Sequence, residues 1–342
     1  MRLSLRDALA FAGRNGPAIL FGGVLIGLVA PPLAEAARPL LGVAVFVFTL
    51  GAFLKVDLPS FRQEVENRTW IALALAWTMF GVPAATFGFI NLFDMDPNLE
   101  QGLMLCMLAP PVGSAAAIAA MLGLRAPLSL VATVAATLVS PFYLPPLASW
   151  FAGCHLSLDP LGMMERLLVI VGGAGLCSAL LKRYAGGFVA RNPHAMMGIA
   201  VIGLILVAIG AMRGMQRYVL EHPVEVVRSL AIAFAANAGL QLLGAVLFAP
   251  AGASRALTVG LVSGNRNVTL AWAAAGASVA AHPRVELYLA MSVLPIFMLP
   301  ALLQAPVSWI LRRGDATRPA ASPAIKAEEA VRYAAAVETP RN

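Results

Sequence analysis

The sequence predicts an all-α membrane protein of ten transmembrane helices, in two inverted five-helix repeats with helices four and nine broken. Three observations predict it: an excess of hydrocarbon, ten apolar stretches, and two corresponding interruptions. Of the 342 residues, 60 % are hydrophobic and 12 % charged, about half the charged share of a soluble domain. One soluble core cannot hide that much apolar surface, which excludes an ordinary cytosolic enzyme. A spanning helix takes ~20 apolar residues, so ten use about 200 and leave short loops.

In chain order the spans fall near 16–36, 39–56, 69–93, 99–123, 126–150, 165–182, 195–212, 226–250, 254–281 and 285–311. Before the first stand Arg2, Arg6 and Arg14, and after it Ala34-Glu35-Ala36, the outline of a secretory signal with its cleavage site. The apolar stretch is longer than a signal core and nine more follow, so it reads as an uncleaved first helix. Residues 55–68 read as a surface amphipathic turn. Residues 1–313 read as the transmembrane domain. Residues 314–342, rich in Ala, Pro and charge, read as a disordered cytoplasmic tail with a frail helix around 324–337.

Orientation follows from the basic residues. With the amino terminus inside, the inner segments hold 17 of the 24 Lys and Arg and the outer segments 6: Arg38, Arg166, Arg213, Arg217, Arg228 and Arg284. Both termini are therefore expected in the cytoplasm, of a cell inner membrane. The net charge of +7 then needs no nucleic-acid partner.

Span four is interrupted by Pro110-Pro111-Val112-Gly113-Ser114 and span nine by Ser263-Gly264-Asn265-Arg266-Asn267. Gly113 and Gly264 are 151 residues apart, and the prolines of the spans that follow, Pro141 and Pro295, are 154 apart. The second copy starts after five spans, so the two copies have opposite topology. Inverted repeats with broken helices in corresponding positions mark secondary transporters, with the binding site at the breaks. Gly113 and Gly264 should lie where the interrupted helices approach.

The remaining basic residue, Arg266, sits at the second break, at a depth where no Asp or Glu stands. A charge at the bilayer centre costs roughly 2.5 to 3.5 kcal/mol and needs a partner. Its partners are exposed backbone carbonyls, amides such as Asn237 or Asn265, water, or a bound anion. Half-helix N-termini nearby favour an anion; a structural cation capping the broken-helix carbonyls is the other reading. The substrate-binding candidates are Arg266, Asn265, Asn267, Ser263, Ser114, Gly113 and Asn237. Asn237 and Gln241, four apart, share one face of span eight.

Cys106, Cys154 and Cys177 form no disulfide framework, and His155, His194, His222 and His282 all fall between apolar runs. No metal site, cofactor motif or catalytic triad is expected, and the chain is not read as an enzyme.

The segments APPVGSAAAIAAMLGLRAPLSLVATVAATLVSPFYLPPL (109–147) and SGNRNVTLAWAAAG (263–276) resemble the bile acid:sodium symporter family, bacterial members included. The resemblance covers nearly all of 16–312. It implies that the broken helices four and nine cross, a core domain from helices 3–5 and 8–10, a panel domain from helices 1–2 and 6–7, and transport of organic anions, usually with sodium. Of the family's sodium ligands, Ser129, Thr133 and Asn267 carry over. Where the family has Ser-Asn at the first break this chain has Ala115-Ala116. Its Glu is Val262 here and its Gln is Arg266. A guanidinium has arrived where a carboxylate was lost, and a nearby cation would be repelled.

The expectation is thus a secondary transporter of a small organic anion in the lipid bilayer, working by alternating access, with Arg266 replacing a sodium ion. Three alternatives stand beside it: a symporter using sodium through Ser129, Thr133 and Asn267, a membrane anion sensor or scaffold that does not transport, and a metalloid carrier using Cys106.

Overall fold

A computed structural model describes residues 16–56, 68–93, 95–152 and 158–316. The amino-terminal arginines, most of the 55–68 turn and nearly all of the tail, with its helix at 324–337, lie outside the described residues. Within them the chain is helical apart from turns and one isolated two-residue bridge.

The helices are α1 (Gly16–Val29), α2 (Pro31–Ala37), α3 (Leu41–Leu54), α4 (Arg68–Ala76), α5 (Val82–Ile90), α6 (Pro97–Leu108), α7 (Ala115–Met121), α8 (Ala126–Ala152), α9 (Pro160–Leu167), α10 (Gly173–Arg191), α11 (Pro193–Ala211), α12 (Met215–Glu221), α13 (Pro223–Leu247), α14 (Ala253–Gly264), α15 (Val268–Ala275), α16 (Ala277–Ala280), α17 (Pro283–Met291) and α18 (Val293–Ala316). Several run on through a single wide or tight turn. Six continuous stretches are long and apolar enough to cross a membrane: Pro31–Leu54, Arg68–Ile90, Ala126–Phe151, Pro160–Arg191, Pro223–Leu247 and Pro283–Arg313. A seventh is the pair Gly198–Ala211 and Met215–Glu221, bent by 51°. This is a multi-pass helical membrane protein.

The differences from the ten expected spans have local causes. The first was expected to run to residue 36, but its helix ends at Val29. Pro31 and Pro32 have no N–H for the Gly27 and Leu28 carbonyls, and a new helix starts there, where proline is tolerated. Segments 97–121 and 253–275 are each cut by non-helical residues. By contrast α8 stays continuous through Pro141, Pro145 and Pro146. The Thr137 carbonyl, which Pro141 cannot serve, accepts instead from the Ser140 hydroxyl at 2.7 Å.

Two sets of helices pack closely. In one, α11 lies against α1 and α3, and α10 against α3. In the other, α6 packs on α5, α15 and α17, while α13 packs on α14. Glycine permits the tightest contact in the first set: a Cβ on Gly51 would stand 2.5 Å from the Ala200 amide nitrogen and 2.8 Å from its Cα.

The start of α6 is held by Asp96, whose carboxylate accepts from the Asn98 amide at 3.0 Å and faces Arg284 at 3.2 Å. Burial alone would raise its pKa; the Asn98 and Leu99 amides and Arg284 outweigh that and hold it below the usual value.

Gly51→Val places a Cβ carrying two methyl groups against backbone that cannot yield. It should lower stability by about 1–3 kcal/mol, read as a fall in the melting temperature of the detergent-solubilised protein, whereas Gly42→Val, where a Cβ meets nothing within 4 Å, should leave it unchanged.

Candidate functional site

Helix α6 stops at Leu108 because Pro110 and Pro111 carry no N–H and force the residues before them out of helical conformation. Helix resumes at Ala115. In the second interruption α14 ends at Gly264 and α15 starts at Val268. The two gaps meet. The Val112 amide donates to the Asn265 carbonyl at 2.9 Å and the Asn267 amide to the Pro110 carbonyl at 2.7 Å, a short antiparallel bridge between Pro111 and Arg266. Gaps in two spans thus satisfy each other's backbone, as an apolar interior requires.

Arg266 is completely buried and is the largest of the fully buried side chains among the described residues. Its Nη2 donates to the Thr78 carbonyl at 2.6 Å and the Met107 carbonyl at 3.0 Å, and its Nη1 to the Val262 carbonyl at 3.4 Å. Each acceptor has a reason to be free. The chain makes a wide turn over Trp77–Gly81, where the Val82 amide bonds Trp77 rather than Thr78; the next residue, Pro83, has no N–H to offer Thr78. Met107 is followed at the corresponding positions by Pro110 and Pro111. Val262 lies in the last turn of α14, where carbonyls lack helical donors. Three helix segments therefore converge on one guanidinium. Its Nε has no partner among the described residues.

The other expected residues surround this point. Asn237 donates to the Gly264 carbonyl at 3.0 Å and to the Asn265 side-chain oxygen at 3.2 Å, and accepts from Gln241 at 2.6 Å. Asn267 caps α15, its side-chain oxygen accepting from the Leu270 amide at 3.3 Å and the Thr269 hydroxyl at 2.9 Å. Ser263 accepts from the Trp77 indole at 2.8 Å and donates to the Val259 carbonyl at 2.7 Å. Gly113 and Gly264 serve close approach on two sides. A Cβ on Gly113 would meet Ala52 Cβ of α3 at 2.9 Å, and one on Gly264 would meet Gln241 Cγ of α13 at 2.7 Å.

A small cavity of about 10 Å3 lies between α3 and the crossing, walled by Phe48, Thr49, Ala52, Gly113, Thr133 and Asn267 among others. Thr133 and Asn267 thus meet there. Ser129, one turn from Thr133 on α8, is buried but not on that wall. The hydroxyls of Ser114, Ser129 and Thr133 are buried with no hydrogen-bond partner among the described residues. Among those residues no cluster of His, Cys, Asp and Glu has the make-up of a metal site.

Sequence reasoning missed two features. One is the part of Thr78, although Pro83 five residues on was a legible signal. The other is Glu286. It belongs to a span end, as expected, but is buried, and with Arg266 it is one of two buried charged side chains among the described residues.

A model of the sodium bile acid symporter family matches residues 42–222, a little over half of the chain. The chain belongs to that family. The matched stretch holds the first interruption and ends before the second, so Val262 and Arg266 lie beyond it. The probable sodium/metabolite cotransporter BASS1 of the chloroplast of Oryza sativa subsp. japonica is 25 % identical over 207 residues, covering 60 % of this chain and 51 % of its own length. The chain spans about half the length of that curated relative.

The amide of Asn237 serves two acceptors at once in a buried place. Asn237→Leu should cost about 1–3 kcal/mol, since it strands the Gly264 carbonyl and leaves Gln241 without its acceptor. Thermal unfolding in detergent checks it, and the loss should exceed that of Gln241→Leu, which strands only one group.

Proposed function

We propose that the chain is a secondary transporter of a small organic anion across a cell inner membrane, with both termini in the cytoplasm and Arg266 in place of a sodium ion. The observation that carries the reading is the guanidinium on three orphaned carbonyls, Thr78, Met107 and Val262. Carbonyl oxygens are hard ligands suited to a bound cation; here the cation is covalently attached and cannot leave. Family membership supports transport, and the name of the rice relative supports a metabolite as cargo.

On this reading the chain crosses the membrane ten times. The six long helices and the bent pair make seven crossings, and α1, α6 with α7, and α14 with α15 make three. The correspondence of the two gaps, with prolines at like offsets in the following spans, supports two inverted repeats. The set containing α1, α3, α10 and α11 acts as the panel and the helices around the crossing as the core. The cavity between α3 and the crossing has room for about one water. A substrate pocket needs on the order of 300 Å3, so the anion enters when α3 moves away from Gly113, Thr133 and Asn267. That motion, alternately towards each face, is alternating access. The partial positive charge of the interrupted backbone favours an anion there.

A sodium ion seated about 4 Å from Arg266 would be repelled by roughly 4 kcal/mol at an effective dielectric of 20. Sodium should therefore add little to stability, because a ligand stabilises only by binding the folded state. One observation favours a second reading, a symporter that keeps sodium: the unpartnered hydroxyls of Ser129 and Thr133 are oxygen ligands in waiting, with Asn267 beside Thr133.

Melting curves of wild type and Arg266→Gln over a sodium series, with potassium as control, separate the two. Wild type should respond alike to both salts. Arg266→Gln should melt lower by about 1–3 kcal/mol, from the stranded carbonyls, and Arg266→Lys should recover part of that loss, since a point charge does not reproduce the planar fork. A sodium-specific rise of more than about 3 °C in wild type, roughly 2 kcal/mol for a protein of this size, overturns the replacement.

A further inference from the structure

The second buried charge lies in a different place from the first. Glu286 is in the first turn of α17, and its carboxylate forms an ion pair with Arg38. Arg38 stands in the tight turn Arg38–Leu40 between α2 and α3, a turn that also packs on α11. It therefore travels with the α1–α3–α11 set, whereas α17 belongs with α6. The guanidinium also lies over the Trp272 ring of α15, 5.8 Å from its centroid. One ion pair and one ring contact thus join the two sets at the end of the molecule where α6, α13 and α17 begin, beside a hydrogen bond from Arg166 of α9 to the Ala274 carbonyl of α15 at 3.1 Å.

The charged groups that act on the Glu286 carboxylate are Arg38 and Arg213, the latter in the turn after α11, with the Trp272 indole beside them. Both arginines come from the set across the seam. On the far side of α17, Arg284 engages Asp96 before α6 at 3.2 Å and Glu225 of α13 at 3.0 Å. His282, which precedes α17, is turned to the Ser278 carbonyl at 2.9 Å. Trp272, the ring under Arg38, also walls a second small cavity of about 10 Å3 between the sets, with Ala208, Ala211 and Met212 from one set and Thr269 and Ala290 from the other.

We propose that Glu286 is the site at which this chain binds a coupling proton, and that its protonation releases Arg38 and opens the seam between the two sets. The inference rests on the transport reading above and adds to it the ion that sodium no longer supplies. A proton from solvent forms an O–H bond on the carboxylate, and no other covalent bond changes. Arg38 keeps its charge and loses its counter-charge, so the ion pair becomes a hydrogen bond from a cation to a neutral acid, without the attraction between opposite charges. Arg38 is then an unneutralised cation at the mouth of the gap, placed to attract an anion. Proton and anion thereby enter together. A proton needs only one carboxylate oxygen, whereas a hard cation such as sodium needs several oxygen ligands at a carboxylate that Arg38 already occupies. Glu286 is also the one buried acid among the described residues, so no other carboxylate there changes between a dry and a wet setting when the sets separate.

The test is acrylamide quenching of Trp272 in the full-length protein, its signal isolated as wild type minus Trp272→Phe. Acrylamide is neutral, so its own chemistry does not follow pH. Between about pH 8 and about pH 5 the quenching constant of wild type should rise about threefold or more, as the open population grows. Glu286→Gln, which mimics the protonated acid, should be as open at pH 8 as wild type at pH 5 and flat between them. Glu286→Asp should keep the pH response. If Glu286→Gln fails to elute as a folded protein, Arg38→Gln takes its place with the same expectation. A wild type flat across the range, or a Glu286→Gln as closed as wild type at pH 8, overturns the proposal. Repeating the series in sodium and in potassium keeps the two readings apart: opening by sodium at fixed pH overturns the role of Arg266, whereas quenching that stays flat with pH in both salts overturns only that of Glu286.

Discussion

The structure turns on a positive charge placed where the backbone cannot serve itself. Proline removes donors, and every donor removed in an apolar interior strands a carbonyl that water cannot reach. Pro83, Pro110 and Pro111 strand Thr78 and Met107, and the end of α14 strands Val262. A guanidinium offers five donors in a rigid fork, and three of those contacts are made here to three segments distant in sequence. Without it the crossing of the two gaps would hold together by two backbone bonds alone.

Around that point the polar groups fall into two kinds. Asn237, Gln241, Ser263, Thr269 and Asn267 are committed to one another and to backbone, and they fix the shape of the second gap. Ser114, Ser129 and Thr133 are buried and uncommitted. Buried polar groups are generally paired, so these hydroxyls, and the Asn265 side-chain amide in the second gap, are exceptions among the described residues.

The two buried charges among the described residues hold different parts of the molecule. Arg266 lies within the crossing, all its acceptors on helices that belong together, and it makes that part rigid. Glu286 faces its partner across a seam. Packing agrees: glycines draw α3 and α11 to backbone contact, whereas the seam keeps two small cavities. Rigid halves with looser packing between them are what hinge and shear motions need.

The all-helical membrane class, the two gaps and the intramembrane position of Arg266 were legible in the sequence, because composition, proline and charge act locally. The family, too, was legible at the residues of the first gap. The end of α1 at Val29 was equally local, written in Pro31-Pro32, though the hydrophobic stretch ran past it. What Arg266 touches was not legible. Its acceptors are backbone atoms, which every residue carries alike, and a sequence distinguishes them only when the donors they lose are known in three dimensions. The burial of Glu286 was hidden for a related reason. Depth along a helix can be read from hydropathy, but whether a residue near a helix end faces water or another helix depends on what packs beside it. Arg38, 248 positions away, is brought there by tertiary structure alone.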